Sequence, residues 1–555
     1  TVSGIYLTNT YEQAKHILAT SQVKVLVLEG IGLLETTYKT VLQDFPQLTV
    51  VLLDDFADDD SSSSSRTISY HAFVKDHLAP SSSTSSQQQQ VVQLPLVPLK
   101  KDHVACLVYT SGTTGNPKAV ELTHENIRSV VATMHARIPL KESSVFVSYL
   151  PLSHIAAMGI DMFSPIFCGG AVHFADADAL RGTLKDTLLR VRPTLFFGVP
   201  RVWEKMAAAF QTAAQTSYEK PVTGTILKSM GTVAKMVGAA WYNYNTTPEI
   251  LRCTILALPF GFFKKVAFSK VRRKCGLDRA ELLYTGAAPL ATETFLYLQS
   301  LDMPLLEVFG MSESCGVIAV CGPNDTIRPM GACGKVLPMG ELLTTPDDEG
   351  EVTYKGHNVM RSYKGLPKET DKTVDPKTRV LHTGDLGTID KYGYLYITGR
   401  KKDLLITSGG ENVSPAPIEE TLKALLNSNN DNGGRVGHVL LVGDRRKYLT
   451  ILVAPKEEDN NNLAVQSSPI APDDIEQAIA TYNTSYAKSR AQRVQKAHVV
   501  LDPFTVATGE LTPTLKVKRN VVVAKYTKEI DSMYDSSVTK NALVGYSSMN
   551  IDQPE

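Results

Sequence analysis

Paired cysteines and long apolar runs are both missing from this 555-residue chain. Its seven cysteines, at positions 106, 168, 253, 275, 315, 321 and 333, are scattered, odd in number and contain no CxxC pair. That pattern argues against a disulfide framework or a zinc site and suits a reducing compartment. No window reaches the roughly 18 uninterrupted apolar residues of a membrane-spanning helix. Charge of one sign is lacking too: 57 Lys and Arg balance 57 Asp and Glu. Nothing in that balance points to nucleic acid or another polyanion as partner. The chain opens on TVSGIYLTNTYEQAKH, without a Met, a basic n-region or an apolar h-region. No signal peptide is visible there, and the natural start, with any targeting signal, is expected to lie upstream.

What is present is ordinary globular material, 43% hydrophobic and 21% charged, in a length that suggests about four folding units. Four stretches are low in complexity: those starting at Asp54, Pro80, Asn427 and Asp459. They hold too little apolar surface to offset ordering entropy and read as loop insertions. The polar tail, 538–555, reads as a terminus with little to anchor it. Elsewhere, short β-rich runs at 24–30, 48–55, 105–110, 145–151, 171–176, 194–200 and 281–286 alternate with amphipathic stretches. This alternation predicts an α/β architecture with largely parallel sheets. Near Thr388 the character changes to a hairpin turning at Lys391–Gly393, with Tyr392, Tyr394 and Tyr396 alternating. A compact α+β set follows. The expected organisation is a large domain of stacked sheets with flanking helices over 1–399, a polar hinge at 400–403 and a small domain over 404–537.

The sharpest chemical signal is Thr110-Ser111-Gly112-Thr113-Thr114-Gly115-Asn116-Pro117-Lys118, between a strand and a helix starting near Thr123. Two glycines, four hydroxyls and a lysine can wrap a phosphate chain with N–H groups, hydroxyl donors and one positive charge. It is not a Walker A loop, because Pro117 stands where that motif needs a second glycine. Alone, the loop says only nucleotide phosphate.

It is followed, in order, by PLSH, GAAP, FGMSE, TGD, GRKKDLLITSGGENVSP and PTLKVKR. This series resembles the adenylate-forming, AMP-binding superfamily of acyl-CoA synthetases, firefly luciferases and adenylation domains. YLPLSHIAA, the run from FADADALRG to PRVWEK, and FGMSES look most like its bubblegum-type long-chain and very-long-chain members. The resemblance implies ATP, Mg2+ and coenzyme A as co-substrates and cofactor, and a fatty acid as substrate. It assigns the α-phosphate to Ser312 and the magnesium ion to Glu313 and Thr113. The strand Glu307-Val308-Phe309-Gly310-Met311 and the turn Gly286-Ala287-Ala288 would hold adenine; Phe309 replaces the family's usual tyrosine. Asp385 and Arg400 would bind the ribose. His154 would stand beside the incoming carboxylate. Lys516 would be the mobile lysine of adenylation, preceded by Leu515 where many members have glycine. Lys402 would be the hinge, and Gly409, Gly410 and Glu411 would face coenzyme A after the small domain rotates.

The implied chemistry converts a poor electrophile into an acyl-adenylate, releases pyrophosphate, and lets a thiolate displace AMP. Two alternatives stay open: a fatty-acyl-AMP ligase that loads a carrier protein, and an inactive lipid-binding relative. The expected location is cytoplasmic, with peripheral contact to the endoplasmic reticulum or another intracellular membrane. The segment 256–274 mixes Phe with Lys and Arg; packing with snorkelling lysines accounts for this, and an interfacial helix is the alternative reading. Acyl chain length and oligomeric state are not written in these residues.

Overall fold

The computed structural model describes residues 1–555 apart from 7–8, 54–66, 71, 74–97, 111–116, 219–223, 243–254, 289, 324, 326–328, 346–349, 429–434, 457–469, 513–515, 536–543 and 547–555. The insertions at Asp54, Pro80 and Asp459, and all but the start of that at Asn427, lie outside the described residues. The chain forms two compact units, 1–125 with 360–369, and 126–359 with 370–555.

In the first unit, Val25–Leu28 (β2), Thr49–Leu52 (β3) and Thr67–Ser69 (β4) form a parallel sheet. Helix α1 (Tyr11–Ser21) starts at a capping box made by Thr10 and Gln13. It packs Ala14 and Leu18 against Leu26, Val50 and Leu52. The second sheet runs Val2–Ser3 (β1), Val104–Thr110 (β5), Lys118–Thr123 (β6) and Ser362–Tyr363 (β16). The helix expected near Thr123 is α2 (His124–Arg137), and between the hydroxyl- and glycine-rich loop and that helix Lys118–Thr123 returns as a strand antiparallel to β5, which the sequence reading did not name. The reason lies in KAVELT, whose Ala119, Val120 and Leu122 are all buried.

The second unit carries the remaining sheets. Val145–Ser148 (β7) pairs in parallel with Ala171–Phe174 (β8). Leu195–Gly198 (β9), Leu282–Gly286 (β10) and Leu306–Met311 (β11) are parallel, then Gly316–Val320 (β12) and Lys335–Val336 (β13) continue antiparallel. The parallel expectation thus holds for β2–β4, β7–β8 and β9–β11, while other sheets mix parallel and antiparallel pairs. Helices α3 (Pro200–Tyr218), α4 (Gly224–Tyr242), α5 (Ala257–Phe263) and α6 (Thr292–Ser300) lie between β9 and β11 in sequence. Trp203 of α3 is fully buried beneath β9 and β10, its indole N–H donating to the carbonyls of Gly198 and Tyr284.

Glu341–Thr345 (β14), Glu351–Lys355 (β15), Leu381–Ile389 (β17) and Leu395–Arg400 (β18) make an antiparallel sheet. The β17–β18 connection is the hairpin expected from the alternating tyrosines, and Tyr394 is buried while Tyr392 is exposed. Leu405–Ile406 (β19) and Asn412–Val413 (β20) form a small ribbon. Val436–Val442 (β21), Leu449–Pro455 (β22), Val494–Val499 (β23) and Val544–Tyr546 (β24) form the last sheet, covered by α7 (Pro415–Ser428) and α8 (Pro472–Ser485). Val544–Tyr546 corrects the reading of the tail: it pairs in parallel with Ala497–Val499 as an edge strand.

Candidate functional site

The FGMSE segment is shaped by a glycine and strapped by distant side chains. A Cβ on Gly310 would lie 1.9 Å from the Gly316 carbonyl, so only glycine permits the tight return from β11 to β12. A bulge between Phe309 and Gly310 accompanies it. The turn Ser312–Ser314 is closed by the Ser314 hydroxyl, which donates to Gly316 O (2.7 Å) and accepts from the Met311 N–H (3.1 Å). Asn358 donates to the carbonyls of Ser314 (2.8 Å) and Val317 (3.3 Å) and accepts from the Tyr354 hydroxyl (2.7 Å). Asn126 in turn holds the carbonyls of His357 and Val359 at 2.8 and 2.9 Å. Ser312 and buried Glu313 therefore sit on a braced turn. Asn126, Tyr354 and Asn358 were not singled out from the sequence.

Beside this turn, Gly286 lies opposite Val308 in the β10–β11 register, where a Cβ would meet the Val308 side chain at 2.7 Å. Ala287 follows in the left-handed region at φ 70°, turning the chain out of the sheet toward Ala288. Thr285 and Glu307 are cross-strand neighbours. The Thr285 hydroxyl is buried without a partner among the described residues. Burial pushes the Glu307 carboxyl up to about 7.

The hairpin sets the next pair. Asp385 stands opposite Arg400 in the β17–β18 register, and the guanidinium Nε lies 2.7 Å from Asp385 Oδ1. Asp385 is 5% exposed. Burial raises its pKa and the attraction of Arg400 offsets only part of the rise, while Asp385 raises that of Arg400. Gly384, at φ 70°, donates its N–H to Glu351 Oε1 (2.9 Å). The same Glu351 carboxylate lies 3.5 Å from Lys401 Nζ and 3.6 Å from His382 Nδ1, another contact the sequence did not advertise.

Lys516 joins this corner from far along the chain. Its segment doubles back through the bridge between Leu511 and Val517, with Thr512 N–H donating to Lys516 O (2.8 Å) and Lys516 N–H to Thr512 Oγ1 (3.0 Å). Part of the side chain is open to solvent, yet enough protein surrounds it that desolvation pulls its pKa down. Arg400 adds to that fall and Asp385 opposes it. No carboxylate of the described residues lies within 4 Å of Lys516 Nζ.

His154 faces the same charge. Desolvation and then Lys516 lower its pKa to about 4, so the ring is neutral at physiological pH. Its Nδ1 accepts from the Ala156 N–H at 3.2 Å, which leaves the ring proton on Nε2. His154 caps the short helix Ile155–Ala157, which runs on into a π-helical turn, Met158–Phe163. Beyond it lies a small apolar cavity lined by Phe146, Ile160, Ser164, Phe197, Val308 and Val317. The apolar runs around Ile155–Phe167 and Leu195–Val199 thus meet on one cavity wall. A second cavity, of about 190 Å³, lies between α4 and α6 and ends at Leu306, Glu307 and Cys321.

The structure therefore gathers Asp385, Arg400, Lys516 and His154, with Glu313 close enough to influence Arg400. Thr110 and Lys118 belong to the other unit, where the Lys118 ammonium is 2.7 Å from Glu369 and 5.1 Å from the Tyr363 ring centroid. Ser111 to Asn116, Thr113 included, lie outside the described residues; Pro117 is described, and its carbonyl lies 3.2 Å from the His16 ring. Lys402 lies exposed in a 3-10 turn, Lys401–Asp403. Gly409, Gly410 and Glu411 form the exposed turn of the β19–β20 ribbon, apart from that corner.

Comparison with known proteins speaks to the family and the fold. The AMP-binding enzyme family matches residues 1–364, and the AMP-binding enzyme C-terminal domain matches 402–538. A long-chain-fatty-acid–CoA ligase ACSBG2 from Xenopus laevis is 33% identical over 572 residues, covering 97% of this chain and 73% of its own. The Drosophila melanogaster long-chain-fatty-acid–CoA ligase heimdall is also 33% identical, covering 96% of this chain and 82% of its own. The crystal structure of the anthranilate CoA ligase AuaEII with anthranoyl-AMP superposes with a TM-score of 0.64 at 17% identity, covering 95% of this chain and 83% of that one. The adenylation domain of a carboxylate reductase from Mycobacterium chelonae gives 0.67 at 19% identity, covering 96% and 76%. At such identities these structures speak for the fold.

Proposed function

The chain belongs to the AMP-binding enzymes, and from that premise we infer that it activates a long-chain fatty acid with ATP and joins it to coenzyme A. The observation that carries the reading is the convergence of Asp385 and Arg400 of one hairpin with Lys516 and His154 from two other stretches of chain. Asp385 accepts from the ribose hydroxyls and Arg400, held at 2.7 Å, both fixes that carboxylate and donates. Lys516 places an ammonium with no carboxylate of its own where negative charge grows during attack of the fatty carboxylate on the α-phosphate. His154, neutral with its proton on Nε2, donates toward that carboxylate without adding repulsive or attractive net charge.

Among the described residues no three metal-binding side chains cluster. This fits Mg2+, which is typically held by one or two carboxylates together with phosphate oxygens. Glu313, buried on its braced turn, would supply that carboxylate, the family resemblance names Thr113 as a further ligand, and the ion would neutralise phosphate charge. Phe309 offers adenine a ring face, and the Gly286-Ala287-Ala288 turn offers backbone at close approach.

The same reading places the enzyme on the cytoplasmic side, in peripheral contact with an anionic membrane. Among the described residues no helix is long and apolar enough to cross a bilayer. Leu258 and Phe262 of α5 are 83% and 56% exposed, and Lys264, Lys265, Lys270, Arg273 and Lys274 follow with no acidic residue among them. Incubation with ATP, Mg2+ and palmitate, with and without coenzyme A, tests the catalytic reading. Pyrophosphate, AMP and palmitoyl-CoA are expected; pyrophosphate without thioester would transfer the acyl group to a different acceptor. L258D/F262D is expected to release the protein from anionic vesicles in a flotation assay without changing turnover on soluble substrate.

A further inference from the structure

The second unit holds another charge cluster that the reaction above does not use. Arg201 and Glu204 stand on α3, Glu420 and Lys423 on α7, and His438 on β21. Lys423 Nζ lies 3.1 and 3.3 Å from the two oxygens of Glu204, and Arg201 Nη1 lies 3.6 Å from the same carboxylate. The side chains of Glu204 and Lys423 are only 22% and 25% exposed. Burial pushes the neighbouring Glu420 carboxyl up to about 8, so it keeps its proton at neutral pH and does not compete for Lys423. His438 is pushed down to about 4 and stays neutral.

The position of this pair matters more than its charge. At one end, α3 is fixed to the sheet by Trp203, whose indole bonds β9 and β10, the strand that runs into Gly286. At the other end, α7 carries Glu419, which accepts from the Leu441 N–H (2.6 Å) and lies 2.5 Å from Arg519. Arg519 follows Lys516 by three residues and also donates to Leu441 O. Side-chain contacts joined through helices α3 and α7 thus lead from the sheet by way of Glu204–Lys423 and Glu419–Arg519 to the segment of Lys516. Glu204 falls in the stretch matched by the AMP-binding family and Lys423 in that matched by its C-terminal domain, so their ion pair joins the two.

We propose that the Glu204–Lys423 pair is a positioning pair that holds the C-terminal domain in the arrangement in which Lys516 meets Asp385 and Arg400. This deepens the proposed function and rests on it. Adenylation requires that arrangement, whereas transfer from a finished acyl-adenylate to coenzyme A does not require Lys516.

The test uses K423E, K423R and the exchanged pair E204K/K423E in the full chain. Adenylation is read as pyrophosphate release, and transfer as thioester formed from supplied palmitoyl-AMP. K423E is expected to slow adenylation about tenfold and transfer by less than about threefold, a split that general destabilisation does not produce. K423R and the exchanged pair are expected to restore most of the rate. Equal losses in both half-reactions, or no recovery in the exchanged pair, would overturn the proposal. Small-angle scattering gives a reading independent of turnover: K423E is expected to enlarge the radius of gyration and K423R to leave it unchanged. An unchanged radius in K423E would overturn the proposal even if wild-type protein formed no adenylate, and that last result alone would reject the catalytic reading.

Discussion

Lys516 and Lys423 both belong to the C-terminal domain and both reach residues of the large one, yet their surroundings differ. Lys423 lies between both oxygens of a carboxylate, with Arg201 sharing it. Lys516 has a guanidinium nearby, a carboxylate already committed to that guanidinium, and no ion pair of its own among the described residues. The first environment is complete as it stands. The second carries a cation whose charged form is disfavoured, and it gains from any anion that enters. Structural charge and functional charge are separated here by the presence or absence of a partner rather than by burial.

Replacing the unpaired lysine should show the contrast most strongly. Lys516→Ala is expected to reduce pyrophosphate release by about 10²–10³-fold, the range for losing one transition-state donor. Thioester formation from supplied acyl-AMP should stay within a few-fold. An equal loss in that second assay would give Lys516 a general structural role instead of one in adenylation. Next, Asp385→Ala leaves Arg400 without its partner and removes a ribose acceptor. A rise in KM for ATP of about 10–100-fold is expected from loss of a charge-assisted hydrogen bond.

Smaller but diagnostic is the response to pH. Because the Lys516 pKa is depressed, its charged form is full below that pKa and is lost as pH rises through it. The alkaline limb of pyrophosphate release should therefore lie below the usual lysine range, and Lys516→Arg should abolish that limb at a lower plateau rate. His154, at about 4, should contribute no limb between pH 5 and 8. Smallest is the effect of Lys423→Met on stability. It leaves the partly buried Glu204 with Arg201 alone and should cost about 1–2 kcal/mol, between exposed and buried pairs, read from a denaturant midpoint.

Much of this corner was legible in the sequence because its signals are local. Alternating tyrosines around Lys391 announce a hairpin, and a hairpin of that register brings Asp385 opposite Arg400. The seven β-rich runs all appear as strands, since each is a short apolar stretch with flanking turns. What braces the site was not legible. Asn358 is 44 residues from Ser314, Asn126 is 231 from His357, and Glu204 is 219 from Lys423. A single Asn or Glu has no period and no motif, so only the folded chain reveals its partner. The same blindness explains β6, where the phosphate-loop motif masked the buried alternation in KAVELT, and β24, where a polar context hid three residues that complete a sheet edge.

If Lys402 is the pivot of the proposed reaction, Glu351 gives it a mechanical meaning. One carboxylate holds the Gly384 N–H, immediately before Asp385, and also the ammonium of Lys401, immediately before Lys402. A swivel that starts at Lys402 leaves this tether slack. One that starts a single residue earlier must stretch it and tug on the loop that grips the nucleotide. On the proposed function, the pivot would be confined from one side, and the hold on the nucleotide would be shielded from the travel of the C-terminal domain.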